Sequence, residues 1–194
     1  MASLFEAIAP WYIAILVFVA ISRLAELVVS RRNRARMQDG GASPGRDPIF
    51  PVMVFVHVMP FWLIPLELLL FDRPFIPAVG YPALALFGLT QLMRLWTLSS
   101  LGRYWNAQVM VPDDLDPVTI GPYAYIRHPN YVVVILELLT IPLIHSAWIS
   151  ALALTLSNGL VLFYRIRSEE ALLFKSPKYK AAMGDKKRFI PGVF

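Results

Sequence analysis

The 194-residue chain has no cysteine. Disulfides, thiolate metal sites, a cysteine nucleophile and lipidation on cysteine are therefore excluded. Charge is also scarce. Only 16% of residues are Asp, Glu, Lys or Arg, against 57% hydrophobic. An ordinary soluble domain is about 45–50% apolar, and the mean hydropathy here is +0.58. The three histidines, at 57, 128 and 145, show no HxxH or HxxxH spacing, so no metal site is expected. No glycine-rich GxGxxG follows a strand, which argues against a Rossmann nucleotide site. The first residues hold Glu6 and no basic stretch, so no cleaved signal peptide is expected. There is no internal repeat and no low-complexity tract.

What the chain does have is a series of apolar runs: 8–29, 49–71, 79–101, 131–144 and 148–164. A bilayer core of about 30 Å needs about 20 helical residues. The first three runs meet that length and the last two fall short. Pro142 and the polar His145-Ser146 between the last two predict a tight helical hairpin, which spans only if its helices continue into flanking residues or sit off-centre. The expected fold is an all-α integral membrane protein of about five transmembrane helices, forming a single domain over 1–194. Residues 1–80 supply the N-terminal helices and 81–194 the functional core.

The net charge of +5 and pI of about 9.6 do not point to nucleic acid. The cations cluster at the ends of apolar runs: Arg31, Arg32, Arg34, Arg36 and Arg46 after the first, and Lys175, Lys178, Lys180, Lys186, Lys187 and Arg188 in the tail. That pattern fits a cytoplasmic membrane face and anionic lipid headgroups. The positive-inside rule then predicts the N-terminus outside, the C-terminus inside, and loop 102–130 in the cytoplasm.

Loop 102–130 is long for a connector, typically about 4–6 residues, which favours a binding role. It carries Trp105, Asn106, Gln108, Asp113, Asp114, Asp116, Tyr123, Tyr125, Arg127, His128 and Asn130, and Tyr131 follows. An interfacial aromatic belt is the plain alternative. Pro129 suits the first position of a helix. It places His128 at the helix entrance and free N–H groups near Asn130 and Tyr131, where an anionic group is favoured. In the fifth run, Asn158, Arg165 and Glu169 fall within about 40° on one helical face, while Arg167 and Glu170 point elsewhere. An amide, a cation and an anion on one intramembrane face are expensive in lipid and suggest a site. An Arg165–Glu169 pair at i,i+4 that only quiets two charges is the competing reading. Glu137, two turns beyond Asn130, either lines the same cavity or pairs with Arg94. Arg23 and Glu26 read as a structural i,i+3 pair, and His57 and Glu67 as helix-packing residues.

The segments "GPYAYIRHPNY" and "RIRSEEALL" lie on either side of the hairpin. Together with "LGRYWNAQVMV" before them and "RFIPGVF" at the end, they resemble the isoprenylcysteine carboxyl methyltransferase family. "RLAELVVSRRN" is similar to its bacterial branch, which implies a bacterial inner membrane. The resemblance is strongest over 90–194. It implies S-adenosylmethionine-dependent methylation of a lipophilic acceptor at the membrane boundary. By motif, Gln108, Leu115, Asp116, Pro117, Val118, Tyr123, His128, Pro129, Asn130, Tyr131 and Glu169 would contact the cofactor. Arg165 would be the catalytic residue facing the acceptor, with Glu137 and Asn158 as further acceptor contacts. An anionic oxygen of a prenylcysteine-like molecule, a small lipid or a polyketide is the expected methyl acceptor. A phospholipid N-methyltransferase, a nicotinamide-dependent membrane reductase and a non-enzymatic scaffold are the alternatives. An amine acceptor would be repelled by Arg165, and loop 102–130 has no basic phosphate-binding cluster for a nicotinamide nucleotide.

Overall fold

Proline sets where most of the helices begin. It stands at the first or second position of α1 (Pro10–Asp39), α2 (Phe50–Val58), α3 (Pro60–Phe71), α4 (Pro77–Leu101), α5 (Pro129–Ile144) and α7 (Pro177–Met183). There its missing N–H is no loss and its fixed φ suits the helix. Among the described helices, only α6 (Trp148–Leu173) starts without one. A minimal antiparallel pair, β1 (Ser43–Pro44) with β2 (Met110–Val111), joins the chain after α1 to loop 102–130. The computed structural model describes residues 8–45, 47–111 and 116–192. Leu115 lies outside the described residues, as do Glu6, Arg46, Asp113 and Asp114.

Among the described residues, three helical stretches are long and apolar enough to cross a membrane: α1, α2–α3 taken together, and α6. α4 has 25 residues and exposes Leu89, Leu92 and Leu95. α5 is apolar but has 16 residues, about 24 Å at 1.5 Å per residue. It is joined to α6 through His145–Ala147, with Ser146 at φ 60°, as the expected hairpin requires. The α2–α3 run is continuous in sequence but divided at Met59–Pro60, because Pro60 supplies no N–H to the ladder.

Two helices run well past their apolar segments. α1 continues to Asp39 and α6 to Leu173, which at 26 residues is about 39 Å. A change from apolar to polar side chains ends a hydrophobic run but does not end a helix. Arg, Glu, Met and Gln are good helix formers, and no breaker occurs in α1 before Gly40. These extensions let α1 and α6 reach loop 102–130 and hold it. Ser30 Oγ donates to Asn106 Oδ1 and accepts from Ala107 N–H, both at 2.9 Å. Asn33 Nδ2 donates to the carbonyls of Trp105 (2.9 Å) and Gly102 (3.1 Å). Arg34 donates to Gln108 Oε1.

Within the bundle, α4 packs on α5 and α5 on α6. The core is an apolar cluster that includes Tyr12, Leu16, Ile64, Leu68, Phe87, Leu138, Ile141 and Leu154. Buried charges are paired. Glu67 is 4% exposed, accepts the N–H groups of Ile149 (3.1 Å) and Ser150 (2.6 Å), and meets Arg73 Nε at 3.2 Å. It caps α6 from a neighbouring helix, since the residue before α6, Ala147, has no side chain to do so. Its role is helix packing, as expected, with this specific cause. Replacing Glu67 with Gln should lower stability by about 1 kcal/mol, the usual value of an anion at a helix N-terminus. Denaturation of the purified protein in detergent would measure it, and an unchanged midpoint would contradict the capping role.

Candidate active site

Between the extended ends of α1 and α6 lies a cavity of about 500 Å³. Its polar part is walled by loop 102–130, the start of α5, the end of α6 and α7. Its deeper part is walled by α1, α2 and α4.

The start of α5 is fixed from two sides. His128 is the residue before Pro129, and its backbone N–H donates to the Arg188 carbonyl at 3.0 Å. Arg127 N–H donates to the Lys187 carbonyl at 2.9 Å, so the tail runs alongside residues 126–128 as a short parallel bridge. Gly121 begins the 3₁₀ turn Gly121–Ala124 at φ 58°, where a Cβ would lie 2.1 Å from Ser100 Oγ. Glycine is the residue that permits both the angle and the approach. The turn delivers Tyr123 to the cavity, packed against Tyr179 and Met183 of α7. Burial, then the charge of Glu169 and the neighbouring Tyr179, push the Tyr123 phenol well up, so it stays neutral.

Glu170 holds this corner together. It is buried and accepts from His128 Nε2 at 3.0 Å and from Arg188 Nη2 at 2.6 Å, with Arg127 Nε at 3.1 Å. Three cation-forming groups from the loop and tail thus converge on one carboxylate. The sequence reading had Glu170 pointing away from the site face. It does point to the other side, and that side faces His128.

On the site face, Arg165 has three partners. Its Nε donates to Tyr131 Oη (3.0 Å), its Nη1 to Asp47 Oδ2 (2.6 Å) and its Nη2 to the Ala107 carbonyl. Tyr131 Oη in turn donates to Glu169 Oε2. Arg165 and Glu169 are therefore linked through Tyr131 and not as a direct i,i+4 pair. His128 and Tyr131 stack with ring centroids 5.2 Å apart. Asp47 was not anticipated from sequence.

Of the anticipated residues, Gln108, Asp116, Pro117, Val118, Tyr123, His128, Asn130, Tyr131, Glu169 and Arg165 all line the cavity. Asn130 Oδ1 is buried and, among the described residues, has no hydrogen-bond partner. Pro129 is buried in the first turn of α5 and lies off the cavity wall. The N–H of Tyr131 is not free, because it donates to the His128 carbonyl at 3.1 Å. The helix start offers less to an anion than its sequence suggested. Glu137 also lies off the wall and takes the other of its two expected roles, pairing with Arg94. Asn158 is 1% exposed and off the wall as well, since the α6 lining ends one turn away at Leu162. Among the described residues no cluster of three or more metal-ligating His, Asp or Glu occurs.

Comparison with known proteins bears on this arrangement directly. Residues 83–175 match the model of the isoprenylcysteine carboxyl methyltransferase family. The chain is also 35% identical over 162 residues to the uncharacterized protein YpbQ of Bacillus subtilis (strain 168), which covers 83% of this chain and 94% of that protein. The chain belongs to the isoprenylcysteine carboxyl methyltransferase family. It is thus a membrane protein of a methyltransferase family. The segment matched to the family runs from α4 through loop 102–130 and the hairpin to Lys175. It contains the polar residues that α5 and α6 bring together, His128 with Glu170 and Tyr131 with Arg165 and Glu169. Asp47, and the α1 residues that anchor the loop, lie outside it.

Proposed function

We propose that this chain methylates an acidic oxygen of a lipophilic acceptor, with S-adenosylmethionine as donor, at the cytoplasmic boundary of the membrane. The observation that carries the reading is one continuous cavity with a polar end and an apolar end. Gln108, Asp116, Asn130 and Glu169 line its polar end, and Leu24, Val54 and Phe61 its apolar end. A water-soluble donor and a lipid-soluble acceptor need such a place to meet. The volume lies within the range of about 300–1,000 Å³ usual for small-molecule sites. The residues present suit the donor. Glu169 complements a cationic group, Asn130 Oδ1 awaits a donor, and Tyr123 and Tyr131 offer aromatic faces. Gln108 and 116–118 close the loop side.

When bound, S-adenosylmethionine supplies an electrophilic methyl group on a sulfonium, which leaves as a thioether as the new bond to oxygen forms. The chain's part is to orient and to exclude water. In-line approach at about 3–3.5 Å accounts for most of the acceleration expected of such a site. A guanidinium has five N–H donors, and Arg165 spends three on Tyr131, Asp47 and Ala107. The remaining two are available to an acceptor oxygen in a fixed plane, and its anion needs no strong base.

Isothermal titration of S-adenosylmethionine into the detergent-purified chain tests the reading. Micromolar or tighter binding that weakens in His128→Ala is expected, and no heat of binding would overturn it. The N-out, C-in orientation belongs to the same proposal. A cysteine placed at Lys180 in this cysteine-free chain should resist a membrane-impermeant maleimide in intact cells. Labelling from outside would reverse the topology and put the cavity mouth on the wrong side for a cytoplasmic donor.

A further inference from the structure

The cavity continues below Arg165. Its membrane-side wall carries Arg23 and Glu26 of α1, His57 of α2 and Arg94 of α4. Arg94 is 4% exposed, pairs with Glu137, and reaches Glu26 Oε2 at 3.2 Å. Arg23 Nη2 lies 2.8 Å from Glu26 Oε1 and 3.5 Å from Glu137 Oε1, and Gln91 Nε2 donates to Glu137 at 2.9 Å. Glu137 is six residues beyond Tyr131 on α5, so this layer sits about 9 Å deeper than the Arg165 layer.

The expected Arg23–Glu26 structural pair is present, but pairing alone does not account for the whole layer. Buried ion pairs give little stability over well-packed apolar residues, and in a bilayer they are dearer still. Nor is the cluster self-satisfied. Among the described residues, Arg94 Nε and Arg23 Nε find no hydrogen-bond partner. Both residues face a cavity, and buried N–H groups call for an acceptor. The two cations are already balanced by two carboxylates, so the missing partner is a neutral oxygen and not an anion. His57 adds the complementary function. Its Nδ1 donates to the Met53 carbonyl at 2.7 Å, which leaves Nε2 of the neutral ring as an acceptor.

We propose that the Arg23–Glu26–Arg94–His57 layer is a second recognition point for the methyl acceptor, taking a neutral keto, ester or hydroxyl oxygen one to two helical turns deeper than the reacting atom. The proposal rests on the methyltransferase reading and narrows it. The acceptor is a lipophilic molecule with two oxygen functions, one methylated at Arg165 and one held within the membrane. A single head group followed by bare hydrocarbon leaves both guanidinium N–H groups unpaired and is a poorer ligand.

The test compares palmitic acid with an analogue bearing one keto oxygen midway along the same chain. Binding of each is measured on the full chain in lipid nanodiscs saturated with S-adenosylhomocysteine. The keto analogue should bind about tenfold more tightly, the usual effect of one hydrogen bond to a charged donor. Removing one charge alone would strand its partner, so the matched variant is Arg94→Gln with Glu137→Gln, in which the tenfold preference should disappear. Equal affinities on the native chain would overturn the proposal, and so would a preference that survives in the double variant. Should that variant not fold, the comparison on the native chain still decides. Failure of S-adenosylhomocysteine itself to bind would instead refute the methyltransferase reading, and the second site with it.

Discussion

Replacing Arg165 by lysine will slow single-turnover methyl transfer about a hundredfold while leaving cofactor affinity within a few-fold of the parent. The expectation comes from how the guanidinium is held. Asp47 precedes α2, Ala107 belongs to the loop, and Tyr131 begins α5, so Arg165 is where three parts of the chain are tied to α6. Lysine keeps the charge and can satisfy Asp47. It has no planar fork with which to reach Tyr131 and Ala107 as well. The charge then follows Asp47 and leaves the acceptor position, and a misplacement of about 1 Å can cost roughly a hundredfold in rate. Had Arg165 only quieted Glu169, lysine would serve nearly as well, because an i,i+4 pair is worth about 0.2–0.5 kcal/mol. Cofactor titration and rapid-quench transfer on the same preparation separate the two readings. A parental rate would leave Arg165 a structural tie.

Glu170→Ala should weaken cofactor binding by about tenfold to a hundredfold, although Glu170 does not line the cavity. One hydrogen bond to a charged group is worth about 1.5–3 kcal/mol, and Glu170 makes such bonds to both His128 and Arg188. Without it, Arg127 and Arg188 repel one another across an empty corner. The imidazole loses its orientation and the tail loses its hold on residues 126–128. Two readouts are therefore expected together: lower affinity by calorimetry, and faster amide exchange at Arg127 and His128, whose N–H groups bond to the tail. Glu170→Gln, which keeps the acceptor oxygen but not the charge, should fall between. Unchanged affinity in the alanine variant would show that the tail clamp has no part in the site.

These two residues also mark what the sequence made legible. The helical runs, the hairpin at His145-Ser146 and the loop motif were readable because each is local: apolar length, a proline, a cluster of aromatic and polar residues. On the α6 face picked out in the sequence, Arg165 and Glu169 both line the cavity. That face misled at Asn158 because rotation about a helix says nothing of depth, and the cavity wall on α6 stops at Leu162. Glu137 shares that history, being on the right face of α5 but engaged by Arg94. Asp47 could not be read at all. Its partner is 118 positions away, and no local pattern reports such a distance. Glu170 was visible only as a residue facing the other way, and its meaning depended on a tail that folds back from Arg188. Ser30 and Asn33 were hidden by the view that the chain after the first apolar run is merely basic. A helix that outlasts its apolar segment turned that stretch into the support for loop 102–130.

The central claim is that one cavity brings a soluble methyl donor to a lipid-borne acceptor. The most direct measurement incubates the purified chain with methyl-labelled S-adenosylmethionine and a total lipid extract of the membranes in which it resides, then partitions the mixture between water and organic solvent. Label is expected in the organic phase with the native chain, and about a hundredfold slower appearance of it with Arg165→Lys. Label that stays entirely in the aqueous phase, with donor and lipid both in excess, would contradict it.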